Sequence, residues 1–224
     1  MSLDNRRHKA TLALAAAVGA ILLLSAIGAV ALPAFAPITN WTPDTALSQQ
    51  RASMGVVAQA DQWIYVVGGR DAMGQAVDDV WRAEIRPTGA LGAWESLGPL
   101  PVRLYLHAVV ASGSHIYVLG GYDDVNYRRE VWRSQINSDG ALTSWQRDWD
   151  LPSAVTLHAA VEANGRIYVS GGDTPQGRTN RVYVASIGEN GALADWQEVA
   201  ALPPASLYRH AMTATSDTLL VTGG

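Results

Sequence analysis

The sequence contains no cysteine. That excludes disulfides, thiolate metal sites and cysteine nucleophiles. It leaves the compartment open, because a cysteine-free domain can live on either side of a membrane. There is no excess of basic charge either. Lys and Arg number 16 against 20 Asp and Glu, a net charge of −4, so nothing electrostatic calls for a nucleic-acid partner. Phenylalanine occurs once, beside eight tryptophans and eight tyrosines. Those two aromatics suit half-buried strands that keep one polar end near water. The sequence has no Gly-Lys-Ser/Thr phosphate loop, no His-Glu-x-x-His pair and no Asp-rich calcium loop. No metal or cofactor is therefore expected.

The first 40 residues differ in kind from the rest. Arg6, Arg7 and Lys9 precede a stretch, Ala10 to Asn40, without a single charge. Within it, Thr11 to Leu32 is built from Ala, Leu, Ile, Val and Gly with one Ser. As a helix these residues would span about 33 Å at ~1.5 Å per residue, enough to cross a bilayer. The basic residues before the run place the N-terminus in the cytoplasm and the remainder outside. The expectation is residues 1–10 as a cytoplasmic segment, 11–32 as a transmembrane or signal-anchor helix and 33–40 as a linker. Ala29-Val30-Ala31 and Ala34-Phe35-Ala36 both have the form of a signal-cleavage site, which gives secretion after cleavage as the alternative.

Residues 41–224 repeat. Gly-Gly recurs at Gly68-Gly69, Gly120-Gly121, Gly171-Gly172 and Gly223-Gly224, each time after an apolar run such as Trp63 to Val67 or His115 to Leu119. Trp94, Trp145 and Trp196 recur in phase, as do Val80-Trp81, Val131-Trp132 and Val182-Tyr183, and the turns beginning Gly89-Ala90, Gly140-Ala141 and Gly191-Ala192. A period near 50 residues with short strands and no helical stretch indicates radially arranged four-stranded blades. In the second unit the strands are expected at Leu106–Ala111, His115–Leu119, Glu130–Ile136 and around Ser144–Arg147. Gly113-Ser114 is the hairpin turn between the first two, with Asp61-Gln62, Asn164-Gly165 and Ser216-Asp217 as equivalents. The three in-phase tryptophans are expected to be equivalent packing residues, substantially buried between blades.

The double glycine, the Trp or Tyr on the third strand and the Trp on the fourth resemble the kelch repeat, from about Arg51 to Gly224. The Asp-Gly-Ala-Leu spacer resembles units of bacterial exported kelch-like proteins. The resemblance implies an all-β, kelch-type propeller of about 3.5 blades: units 51–101, 103–152 and 154–203, and a partial unit 205–224. Trp41 precedes Met54 by the spacing that separates Trp94 from His107, so residues 41–43 read as a lone outer strand. Three units and these remnants cannot close a ring of the usual ~4–8 blades. The chain thus reads as a fragment, with self-association through open blade edges expected. The rival is a half-propeller that assembles with a partner chain.

Alternating strand direction places the segments leading into strand one, and the loops after Gly-Gly, on one face. The candidate ligand-binding residues there are Arg51, Arg103, Tyr105, Tyr122, Asp123, Asn126, Tyr127, Arg128, Arg178, Tyr208 and Arg209. Arg and Tyr on loops held by a rigid scaffold suit a protein or carbohydrate ligand. His107, His158 and His210 share one repeat position and are expected in separate blades, not gathered about a metal ion. The function expected is a non-enzymatic binding module displayed outside the membrane. Its alternative, implied by resemblance alone, is a carbohydrate-active enzyme similar to propeller-fold sialic-acid epimerases.

Overall fold

In the computed structural model, which describes residues 42–203 and 206–224, every regular element is a β-strand. The expected helix Thr11–Leu32 and Trp41 lie outside the described residues. Among those described, no helix is long and apolar enough to cross a membrane. The unit Pro43–Gly224 holds the blades.

The first blade is β1 (Gly55–Gln59), β2 (Trp63–Val67), β3 (Val80–Glu84) and β4 (Glu95–Ser96). The second is β5 (Ala108–Ser112), β6 (His115–Tyr122), β7 (Tyr127–Gln135) and β8 (Gln146–Arg147). The third is β9 (Ala159–Ala163), β10 (Arg166–Ser170), β13 (Val182–Ser186) and β14 (Gln197–Val199), with the small ladder β11 (Asp173–Thr174) and β12 (Gly177–Arg178) in its loop. β15 (Ala211–Ala214) and β16 (Leu219–Thr222) form a two-stranded sheet. Each four-stranded sheet is antiparallel in chain order, and the ring of blades is not closed. The expected three blades and a partial fourth are what the sheets show.

Several boundaries of the second blade differ from the sequence reading, and β6 runs on through Gly120-Gly121 to Tyr122 instead of ending at Leu119. β5 begins at Ala108, not Leu106, because Leu106 is held at φ 55°, which no strand residue adopts. β7 begins at Tyr127, not Glu130, because Tyr122 pairs with Tyr127 and carries the ladder out into the loop past a bulge at Gly120. Two of the hairpin loops are also longer than two residues. Gln59 pairs with Trp63 and Ala214 with Leu219, whereas Gly113-Ser114 and Asn164-Gly165 are two-residue turns as read.

The core lies between blades. Tyr65, Val67 and Val80 of the first blade meet Ile116, Val118 and Ile136 of the second. Tyr117, Leu119 and Val131 meet Ile167, Val169 and Trp196 across the next joint. Burying each such side chain is worth about 1.5–3 kcal/mol. Trp196 is 7% exposed, while Trp94 and Trp145 are half-buried. The indole nitrogens of Trp94 and Trp196 donate to the carbonyls of Thr45 and Trp149 at 2.9 and 3.0 Å. The side chain of Asp44 accepts from the Leu91 N–H, as that of Asp148 does from the Leu193 N–H. Asp44 and Thr45 therefore take the places that Asp148 and Trp149 take, but Thr42 and Pro43, the described part of the outer strand expected over 41–43, carry no strand.

Polar bonds pin the joints on either side of the second blade. Tyr65 Oη donates to the Gly140 carbonyl at 2.8 Å, and Tyr117 Oη to that of Gly191 at 2.6 Å. Arg82 and Arg133 reach the same turns, donating to the Asp139 and Asn190 carbonyls at 2.6 and 2.8 Å. Neither pattern was anticipated from the sequence. Near the inner strands, one backbone chain links successive blades. The N–H of Leu106 donates to Ser53 O, that of Leu157 to Leu106 O, and that of Arg209 to Leu157 O, at 3.1, 3.1 and 2.8 Å. All four residues are left-handed, with φ between 53° and 56°.

His107, His158 and His210 are each 8% exposed and lie one per joint, against Gly68, Gly120 and Gly171 of the preceding blade. Met54 sits against Gly69 as His107 sits against Gly121, which makes it the fourth equivalent. A side chain at Gly120 would put its Cβ 2.7 Å from the Val155 carbonyl oxygen. The imidazoles can pack there only because that glycine has none.

Candidate functional site: the loop face

The lead-in segments and the post-Gly-Gly loops are hydrogen-bonded to each other. Ala52 pairs with Arg70, Tyr105 with Tyr122 and Thr156 with Asp173, each by a reciprocal backbone bridge. The two sets of loops therefore form one surface, as the alternation of strand direction requires.

Across it runs an aromatic array. The Arg70 guanidinium lies 4.2 Å from the Tyr105 ring centroid. Tyr105 meets Tyr122 edge-on at 5.7 Å, and Tyr122 meets Tyr127 edge-on at 5.2 Å. Tyr127 Oη donates to Asp173 Oδ2 at 3.1 Å, joining the second blade to the third. That bond raises the Tyr127 hydroxyl above its ordinary pKa, and burial does the same for Tyr105. Both stay protonated donors at neutral pH. Of this array the sequence reading gave Tyr105, Tyr122 and Tyr127 as ligand-binding candidates. Arg70 and Asp173 stand at homologous loop positions, and only the fold shows that they join it.

The remaining candidates divide. The Arg51 side chain is 2% exposed and bonded to Asp79. Arg128 is held by Asp123 at 3.0 Å and Glu130 at 2.5 Å. Desolvation would raise the Asp123 carboxyl, but the N–H groups of Asn126 and Val125 and the Arg128 guanidinium hold it below its ordinary value. Arg51, Asp123 and Arg128 thus shape their loops from within, and Asn126 closes the Asp123 turn through its own N–H. Arg103, Arg178 and Arg209 are exposed, and among the described residues none makes an ion pair. The Arg178 guanidinium carbon lies over the Tyr208 ring, 3.8 Å from its centroid. Beside it a cavity of about 540 Å³ opens between the second and third blades, lined by Leu151, Val155, Val169, Tyr183 and Trp196. That is within the usual range for small-ligand pockets. The cavity was not foreseen, since its walls come from strands of one blade and the connector from another.

Among the described residues, no group of three or more His, Asp or Glu could hold a metal ion. The histidines are arranged as a row of neighbours, one to a joint, close enough that charge on His107 or His210 would disfavour charge on His158.

Residues 56–224 match the family model described as the KLHDC2/KLHL20/DRC7 Kelch-repeats domain. The chain is 27% identical over 165 residues to Kelch-like protein 40 of Mus musculus, covering 74% of this chain and 25% of that protein. It is 28% identical over 194 residues to Beta-scruin of Limulus polyphemus, covering 83% and 20%. With Kelch-like protein 41 of Rattus norvegicus it shares 30% over 168 residues, covering 73% and 27%. The chain thus matches about a quarter of the length of these relatives. Double glycines, in-phase tryptophans, four-stranded blades and the family match agree, and the chain belongs to the kelch-repeat family.

Proposed function

We propose that this chain is a non-enzymatic interaction module whose loop face receives a protein partner. Kelch repeats typically mediate protein–protein interaction. The observation that carries the reading here is the trio of exposed arginines, Arg103, Arg178 and Arg209, without carboxylate partners among the described residues, beside a fixed tyrosine floor. Arg and Tyr dominate binding energy where rigid surfaces meet. The guanidinium groups suit carboxylates on the partner, and the cavity beside Arg178 suits one apolar side chain. Display outside the cell membrane belongs to the same proposal, supported by the uncharged run after Arg6, Arg7 and Lys9. Secretion after cleavage is the alternative.

The test is cross-linking mass spectrometry on intact cells with the full chain and with Arg103→Glu, Arg178→Glu and Arg209→Glu combined. The proposal expects cross-links from the loop face to a partner, lost in the triple variant. An unchanged cross-link map would overturn it. Protease protection of the propeller in sealed cells would overturn the external placement.

A further inference from the structure

Trp149 does not belong to the repeat. Positions four residues after the other in-phase tryptophans hold Thr45, Gly98 and Ala200. Its backbone does what the joint requires: the carbonyl accepts from Trp196 Nε1 at 3.0 Å, just as that of Thr45 accepts from Trp94. A threonine satisfies the same role, so the indole is not needed for packing. Yet the side chain is 58% exposed, on a backbone fixed on both sides. Asp148 is tied to the Leu193 N–H and to Arg133, and Asp150 is gripped by Arg147. An exposed indole on a rigid mount costs little further entropy when something stacks on it.

The surroundings specify what stacks. Trp149 borders an open cleft of about 740 Å³ on the seam between the second and third blades, with Arg129, Arg147, Asp150 and Asp195 around it. Arg147 meets Asp150 with two bonds of 3.0 and 2.7 Å, and Arg129 meets it at 3.3 Å. Arg129 and Arg147 are both spent on Asp150, and Asp195 makes no ion pair among the described residues, so an anionic ligand gains little there. Planar guanidinium and carboxylate groups still offer free donors and acceptors at fixed spacing. Neighbouring hydroxyls on a ring present the complementary set, and the apolar face of such a ring fits an indole.

We infer that the Trp149 cleft is a binding site for a neutral carbohydrate, with a pyranose ring stacked on the indole and its hydroxyls bonded to Asp150 and Arg147. The cleft adjoins the loop-face cavity, with which it shares Leu151, Pro152 and Trp196, but none of Arg103, Arg178 and Arg209 lines it.

The test titrates the full chain with cellohexaose, maltohexaose and chitohexaose, and with a hexuronate hexamer as the charged control. Binding is followed by saturation-transfer NMR and tryptophan fluorescence. At least one neutral hexamer is expected to bind. Trp149→Ala should weaken it by at least about tenfold, and Trp149→Phe should retain most of the affinity. Asp150→Asn should weaken the same sugar, and the arginine triple variant of the loop face should leave it unchanged. No binding by any neutral hexamer at 10 mM, equal affinity in Trp149→Ala, or preference for the uronate would each overturn the inference.

Discussion

The hydroxyl of Tyr117 donates a 2.6 Å hydrogen bond to the carbonyl of Gly191, across the joint between the second and third blades. Burial pushes that hydroxyl's pKa up to about 12, so it remains a donor throughout the range in which the protein is handled. Tyr117→Phe leaves the Gly191 carbonyl unsatisfied and should cost about 1–3 kcal/mol. Tyr168 is the equivalent tyrosine of the third blade and makes no such bond among the described residues. Tyr168→Phe should therefore change stability by no more than about 0.5 kcal/mol. Urea denaturation of both variants checks the contrast.

Trp196 is buried in the joint between the second and third blades, whereas Trp145 is half-buried at the joint before it and Trp94 is half-buried beside Thr45. Trp196→Ala should cost roughly 3–5 kcal/mol, the range for a large aromatic in a core. Trp94→Ala should cost less. Equal losses in the two variants by denaturant titration would contradict the difference in burial.

Stability should fall with acid before the carboxylates titrate. Burial pushes the His107 imidazole down to about 4 and that of His158 to about 3, the Val67 and Leu119 backbones opposing weakly. In the unfolded chain both bind a proton near 6.5. Between pH 6.5 and about 4 the unfolded state alone carries those protons, so stability rises with pH across this window and its loss is complete below about 3. His107 contributes on the order of 3 kcal/mol to the change and His158 on the order of 5. In His107→Gln with His158→Gln, the slope of stability against pH from 6.5 to 4 should flatten, as chemical denaturation at stepped pH will read.

Gly120 and Gly113 share nearly the same backbone angle, φ 57° and 53°. A Cβ at Gly120 would strike the Val155 carbonyl, whereas one at Gly113 meets nothing within 4 Å. Gly113→Ala should cost about 1 kcal/mol for the left-handed conformation alone. Gly120→Ala should cost more, because the joint must also open. Thermal melts of the pair separate strain from contact.

Much of the architecture was legible because the repeat marks itself. Double glycines, in-phase tryptophans and Asn164-Gly165 announce strand ends and turns through backbone demands that side-chain chemistry cannot hide. The face on which the loops gather followed from strand alternation. What could not be read was pairing across joints. Tyr65, Tyr117 and Arg82 look like ordinary strand residues until the next blade's turn is in place. The candidate arginines illustrate the same limit. Arg51 and Arg103 both lead into a first strand, but Arg51 is spent on Asp79 while Arg103 is exposed. The Tyr105–Tyr122–Tyr127 array was half visible, since its members were named while Arg70 and Asp173, which complete it, are set by a fold-dependent bridge.

The inner backbone chain through Ser53, Leu106, Leu157 and Arg209 uses no side-chain atom. Its four side chains are a hydroxyl, two aliphatics and a guanidinium, yet their φ angles agree within a few degrees. The angular pitch from blade to blade is thereby decoupled from chemistry at those positions. Mutation there can alter what the hub of the array presents, from apolar to cationic, without resetting the spacing of the blades. Structural conservatism and surface novelty meet at one residue per repeat.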